Sequence, residues 1–124
     1  MSVRATIREI RKGFPFERMQ QFATSSGMAP TEVAKVLQIP ARTLARRRKE
    51  GRLAPDESER LVRLDRLFDL TVQLFDGDRD RAREWFTKPR PALGNESPLQ
   101  FAETEIGARE VENLIGRLEH GIYT

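Results

Sequence analysis

Arg42, Thr43, Arg46, Arg47, Arg48 and Lys49 crowd into one ten-residue stretch of this chain. Guanidinium groups bind phosphate and read guanine edges with paired N–H donors, and a threonine contributes a hydroxyl and a methyl, so the chemistry on offer is nucleic-acid recognition. On a helix Arg42 and Arg46 share one edge and Thr43 and Arg47 the next, while Leu44 points elsewhere. Arg42, Thr43, Arg46 and Arg47 are therefore expected to face DNA, with Arg48 and Lys49 on phosphate or solvent. Catalytic chemistry has far less to work with. There is no cysteine, which excludes a disulfide, a thiolate metal site and a cysteine nucleophile, and the one histidine is His120. Asp76, Asp78 and Asp80 sit beside Gly77 at a helix boundary, where capping accounts for them. A calcium loop opening at Asp76 requires an acidic ligand about twelve positions on, and residue 87 is Thr87. No catalytic residue, metal or cofactor is expected, and the chain is not read as an enzyme.

The arginines need an element to hold them. Residues 31 to 53, TEVAKVLQIPARTLARRRKEGRL, read as two short amphipathic helices about a break at Gln38, Ile39 and Pro40. Val33, Ala34 and Leu37 form the inner face of the first, with Ala34 small where the second must cross. Ile39 plugs the corner, and Pro40 suits the opening turn of the second helix. Gln38 stands where such a turn usually takes glycine, and must tolerate a loop conformation without glycine's freedom. The pattern is a helix-turn-helix whose second helix is basic.

Charge supports that reading. The chain of 124 residues carries a net +3, but residues 1 to 55 hold 12 Lys and Arg against 4 Asp and Glu, net +8, and residues 56 to 124 hold 10 against 15, net −5. One half suits phosphate and the other a different partner. No apolar run approaches the ~20 residues of a membrane span, and MSVRATIREIRK lacks a signal-peptide core, so a cytoplasmic protein without membrane contact is expected.

Nearly every other segment also reads helical. Val3, Ile7 and Ile10 mark a short N-terminal arm, and Phe14, Phe16, Met19 and Phe22 a helix packing over the next two. Asp56, Glu57 and Glu59 load the start of a helix of about 20 residues running to Phe75, which Asp76 and Gly77 stop. Asp78 caps a helix presenting Ala82, Trp85 and Phe86, with Trp85 expected in the core. The loop TKPRPALGNESP is expected to be extended, with Leu93 and Leu99 pinning it to Trp85 and Phe86. After Thr104 a last helix buries Ile106, Val111, Leu114, Ile115 and Leu118. Gly107 near its start implies either a close helix approach or a helix beginning after it. Gly121 ends that helix, and the apolar pair Ile122 and Tyr123 beyond it either folds back on the chain's own core, the commoner outcome for a docked terminal helix, or inserts into another protein.

The succession of these motifs resembles a known family. A basic helix-turn-helix precedes GRLAPDESERLVRLDRL, then LFDG, then AREWF, then KPRPALGNESPLQFAETEIGAREVENLIGRLEHGIYT. From about Met28 onward this is similar to the Xre-type antitoxins of RES-Xre type II toxin-antitoxin systems, the Xre/ParS/MbcA group. The specific part is Trp85, Pro91 to Gly94, Pro98 with Leu99, Thr104 to Gly107, Val111 and the closing Gly121, Ile122 and Tyr123. The resemblance implies an all-α fold, with an N-terminal arm and helix-turn-helix over residues 1–54 joined by a long helix to a helical toxin-binding domain over 55–124. It implies an antitoxin that neutralises a cognate RES-domain toxin, NAD-degrading or ADP-ribosylating. His120, Gly121, Ile122, Tyr123 and Thr124 would block the toxin's active site. It further implies binding to operator DNA, repression of the antitoxin's own operon, and a homodimer within a larger toxin-antitoxin complex. Phe14, Phe16 and the long helix are the candidate dimer contact. The alternative is a free-standing helix-turn-helix regulator whose C-terminal half dimerises or senses a small molecule. That reading requires a pocket of convergent polar groups, whereas the C-terminal stripes are those of ordinary helix packing.

Overall fold

A computed structural model describes residues 2 to 121, and all the regular structure among them is helical apart from two isolated bridges. The chain contacts separate into two units, Met1–Val62 and Arg63–Thr124, with the boundary inside one helix.

In the first unit, α1 (Val3–Lys12) starts at Ser2, whose hydroxyl accepts the Ala5 amide, and buries no residue. At Gly13 (φ 85°) the backbone passes so close to the Leu53 carbonyl that any side chain would collide with it. Phe14 and Phe16 then turn inward, and α2 (Glu17–Ser26) adds Met19, Phe22 and Ala23 to the same core. Both phenylalanines are buried in the core of the first unit, so neither is free to serve as the dimer contact expected of them. α3 (Pro30–Val36) opens with proline at its first position and with Glu32 reaching back to the Ala29 amide. Gln38 takes the left-handed conformation (φ 60°) that the turn demands, and Ile39 is buried behind it, its amide bonded to the Ala34 carbonyl. α4 (Ala41–Glu50) follows. Pro40 is its cap rather than its first residue, in extended conformation, and Gly51 closes it left-handed.

α5 (Pro55–Leu74) contributes to both units. In the first, Leu61 is buried, and the Ser58 hydroxyl accepts the Phe14 amide (2.8 Å) while donating to the Ala54 carbonyl (2.8 Å). Arg60 donates to the Leu37 carbonyl (3.1 Å), satisfying an orphan acceptor at the end of α3.

In the second unit, Leu64, Leu67, Phe68 and Thr71 form the inner stripe of α5. Asp76 and Gly77, both at positive φ, stop the helix, and Asp78 caps α6 (Arg79–Thr87) by accepting the Arg81 amide. Phe86 meets Phe68 edge to face, with centroids 5.7 Å apart. The segment expected to be extended is instead a compact turn. Pro91–Leu93 form a 3₁₀ helix, Gly94 turns left-handed, and Arg90 pairs with Glu96 across the bend, because the prolines preset the turn angles and Leu93 is drawn into the core. Ser97 and Gln100 then form a capping box for α7 (Pro98–Phe101).

α8 (Glu105–Glu119) starts at Thr104 and packs on α7. Gly107 lies within the helix, where a Cβ would run into the Phe101 carbonyl, so close approach is the reason for the glycine. Val111, Leu114 and Ile115 are buried, as their spacing predicts. Ile106 is not: it is 79% exposed, since the five-residue step to Val111 turns it about 140° off the stripe. Leu118 is half-buried. Trp85, expected in the core, is also only half-buried, packed beside Phe75 with Arg90 above its ring.

Candidate nucleic-acid and partner interfaces

α4 buries none of its residues, so its whole outer surface is available for recognition. Arg42, Arg46 and Lys49 are exposed at i, i+4 and i+7 and make one continuous cationic edge. Thr43 is half-buried next to that edge. Arg46 lies 4.0 Å from Glu50, both well exposed, a surface pair worth little against a phosphate. The Lys and Arg of this edge can therefore exchange solvent for DNA oxygens at small cost.

Arg47 behaves differently. Its side chain is only 18% exposed and its guanidinium grips Glu57 through two hydrogen bonds, Nε to Oε1 at 2.8 Å and Nη2 to Oε2 at 3.2 Å. Oε1 of Glu57 also accepts the Ala54 amide (2.8 Å), so one nearly buried carboxylate caps the start of α5 and holds the end of α4. The hydrogen bonds from Arg47 to Glu57 raise the arginine pKa further, outweighing desolvation; Glu57 and Glu50 add electrostatic support. Arg47 thus leaves the Arg42 edge and keeps the side of α4 that carries half-buried Leu44, three residues before it. Arg48 lies over the Phe16 ring at 5.6 Å, clasping the helix from its other flank.

Ser58, the Arg48–Phe16 stack and the hold of Glu57 on Arg47 are the parts of this arrangement that the sequence pattern did not single out; from the sequence Glu57 reads only as a first-turn charge of α5. A glutamate three residues after Ala54, at the start of a helix, is a capping signal, but its second duty depends on a turn between two helices.

At the other end of the chain, His120 caps α8, its amide bonded to the Gly116 carbonyl, and is exposed. Gly121 turns left-handed (φ 74°) with its amide on the Leu118 carbonyl. Ile122, Tyr123 and Thr124, the remainder of the expected partner-binding end, lie outside the described residues. Among the described residues no group of three or more histidine and acidic side chains could hold a metal ion, and no helix is long and apolar enough to cross a membrane.

Two family models divide the chain in nearly the same way as its contacts do. Residues 5–66 match the antitoxin Xre-like helix-turn-helix domain, and residues 70–121 match the antitoxin Xre/MbcA/ParS C-terminal toxin-binding domain. The chain is 41% identical over 116 residues to an antitoxin Xre of Yersinia enterocolitica, covering 93% of this chain and 78% of that protein. It is 36% identical to one of Photorhabdus laumondii (91% and 77% covered) and 27% identical to one of Pseudomonas putida (90% and 69%).

Proposed function

Since the chain belongs to the Xre antitoxin family, with a DNA-binding helix-turn-helix and a toxin-binding domain, we propose that it neutralises a RES-domain toxin acting on NAD by lodging its C-terminal end in that toxin's active-site pocket. It acts by binding and not by catalysis. Residues 120–124 supply the plug. α8 ends at Glu119 and Gly121 turns left-handed, so His120 and Gly121 lead the chain off the helix. Beyond them, Ile122 offers apolar surface and Tyr123 a planar ring able to stack where a nucleotide base would lie. The net −5 of residues 56 to 124 suits docking on a toxin surface that binds an anionic dinucleotide.

The same chain, on this reading, occupies its operator and represses its own operon, in the cytoplasm where that DNA lies. Arg42, Thr43, Arg46 and Lys49 meet the DNA, with Arg47 holding the helix that presents them. The observation that carries the proposal is the union, in one chain, of an unburied cationic helix edge with a C-terminal half matched to a toxin-binding domain.

Deleting residues 121–124 tests the plug. The truncated protein is expected to keep its helical content and operator affinity while inhibiting the toxin about tenfold or more less tightly. Growth rescue and complex affinity both at the full-length level would remove the plug from the proposal.

A further inference from the structure

α8 carries two features that its own packing does not require. Ile106 is 79% exposed. Gly116 sits in the last turn of the helix with nothing within 4 Å of where a Cβ would stand, so no internal neighbour asks for glycine there. Gly107 in the same helix has the opposite surroundings, with the Phe101 carbonyl in the way of any side chain. A glycine within a helix weakens it relative to alanine, and an exposed isoleucine is apolar surface left in water. Both belong to a single face. Ile106, Arg109, Asn113, Gly116 and His120 follow one another at steps of three and four, within an arc of about 80° and opposite the buried stripe of Val111, Leu114 and Ile115.

We infer that this outward face of α8 is a docking strip for the toxin, Ile106 anchoring one end and Gly116 admitting a toxin backbone or helix at close range. The inference rests on the antitoxin reading above and extends the contact beyond the C-terminal tail. The occupant is the toxin for two reasons on the same helix. α8 lies wholly inside the stretch matched to the toxin-binding domain, and the strip runs for about 21 Å directly into His120 and Gly121, where the proposed plug begins. A side chain at Gly116 would hold a partner off, whereas hydrogen in its place lets backbones approach.

Full-length Gly116→Leu and Ile106→Glu variants test it, with binding measured against the purified cognate RES-domain toxin. Leucine at 116 points into open space and favours helix, so the free antitoxin should melt no lower than the unsubstituted protein. Each variant is expected to bind the toxin about tenfold or more weakly, with operator affinity unchanged. Two variants with unsubstituted affinity overturn the strip while leaving the antitoxin reading intact. An unsubstituted chain that fails to bind the toxin overturns both. Variants that lose self-association but keep toxin affinity assign the strip to a second copy of the chain and overturn the choice of occupant.

Discussion

Gly107 and Gly116 lie nine positions apart in α8, and their surroundings give them opposite consequences on substitution. A methyl at Gly107 meets the Phe101 carbonyl, a backbone atom with no freedom to move aside, so Gly107→Ala is expected to cost about 1–3 kcal/mol through overpacking. Gly116→Ala adds a methyl in open space and removes the glycine's flexibility in the unfolded chain, so it should stabilise by about 0.5–1 kcal/mol. Thermal unfolding of the two single variants checks both signs at once. Equal shifts in the same direction would contradict the environments described here. Gln38 takes a left-handed conformation (φ 60°) without being glycine, at the end of α3 and directly before Ile39, whose amide bonds the Ala34 carbonyl.

α4 owes its place to contacts at its ends and flanks, since it contributes no buried residue. The Arg47–Glu57 clasp is the strongest of these, and removing one partner of such a shielded pair leaves the other charge uncompensated. Arg47→Ala is therefore expected to destabilise the protein by about 3 kcal/mol, and to weaken operator binding through disorder of α4 without changing its salt dependence. Arg42→Ala is expected to do the reverse, leaving the melting temperature in place and lowering the slope of log affinity against log salt by about one. Salt titrations beside melting curves separate the two. This division of labour was not legible in the sequence. Helical spacing located α4 and its exposed edge, because both are local, but the partner of Arg47 lies beyond a turn and depends on how α5 starts. Val111, Leu114 and Ile115 were legible for the same local reason, since three and four residues per step fix a face. Ile106 joins the stripe by residue type, although its five-residue step to Val111 turns it away, and Trp85 was not legible, because an apolar residue beside a stripe is indistinguishable by type from one within it. The Pro91–Leu93 turn was hidden for another reason: prolines announce a break in regular structure without stating how tightly it folds.

Across the whole chain, a basic helix-turn-helix unit precedes an acidic toxin-binding half, and the homodimer that the family resemblance implies would place two copies of α4 on one operator. A single recognition helix contacts few base pairs, so specific affinity usually comes from two-fold pairing on half-sites about 34 Å apart. Phe14 and Phe16 are spent inside the first unit, and among its described residues the exposed large apolar side chains lie on α1. Val3 is 76% and Ile7 42% exposed on one edge, while Arg4, Arg8 and Arg11 occupy another. An apolar edge beside a basic one allows two copies to meet through α1 while their arginines stay free for phosphate. The expected outcome is a dimer by light scattering at micromolar concentration, shifted toward monomer in a Val3→Glu, Ile7→Glu double variant. Since α1 buries no residue, the variant's helical content should stay unchanged. Operator affinity should fall steeply with the dimer, and a probe carrying one half-site should bind the original protein and the variant alike. A mass of one chain for the original protein, alone and with toxin, would remove the dimer; a dimer untouched by the double variant would place its contact elsewhere than α1.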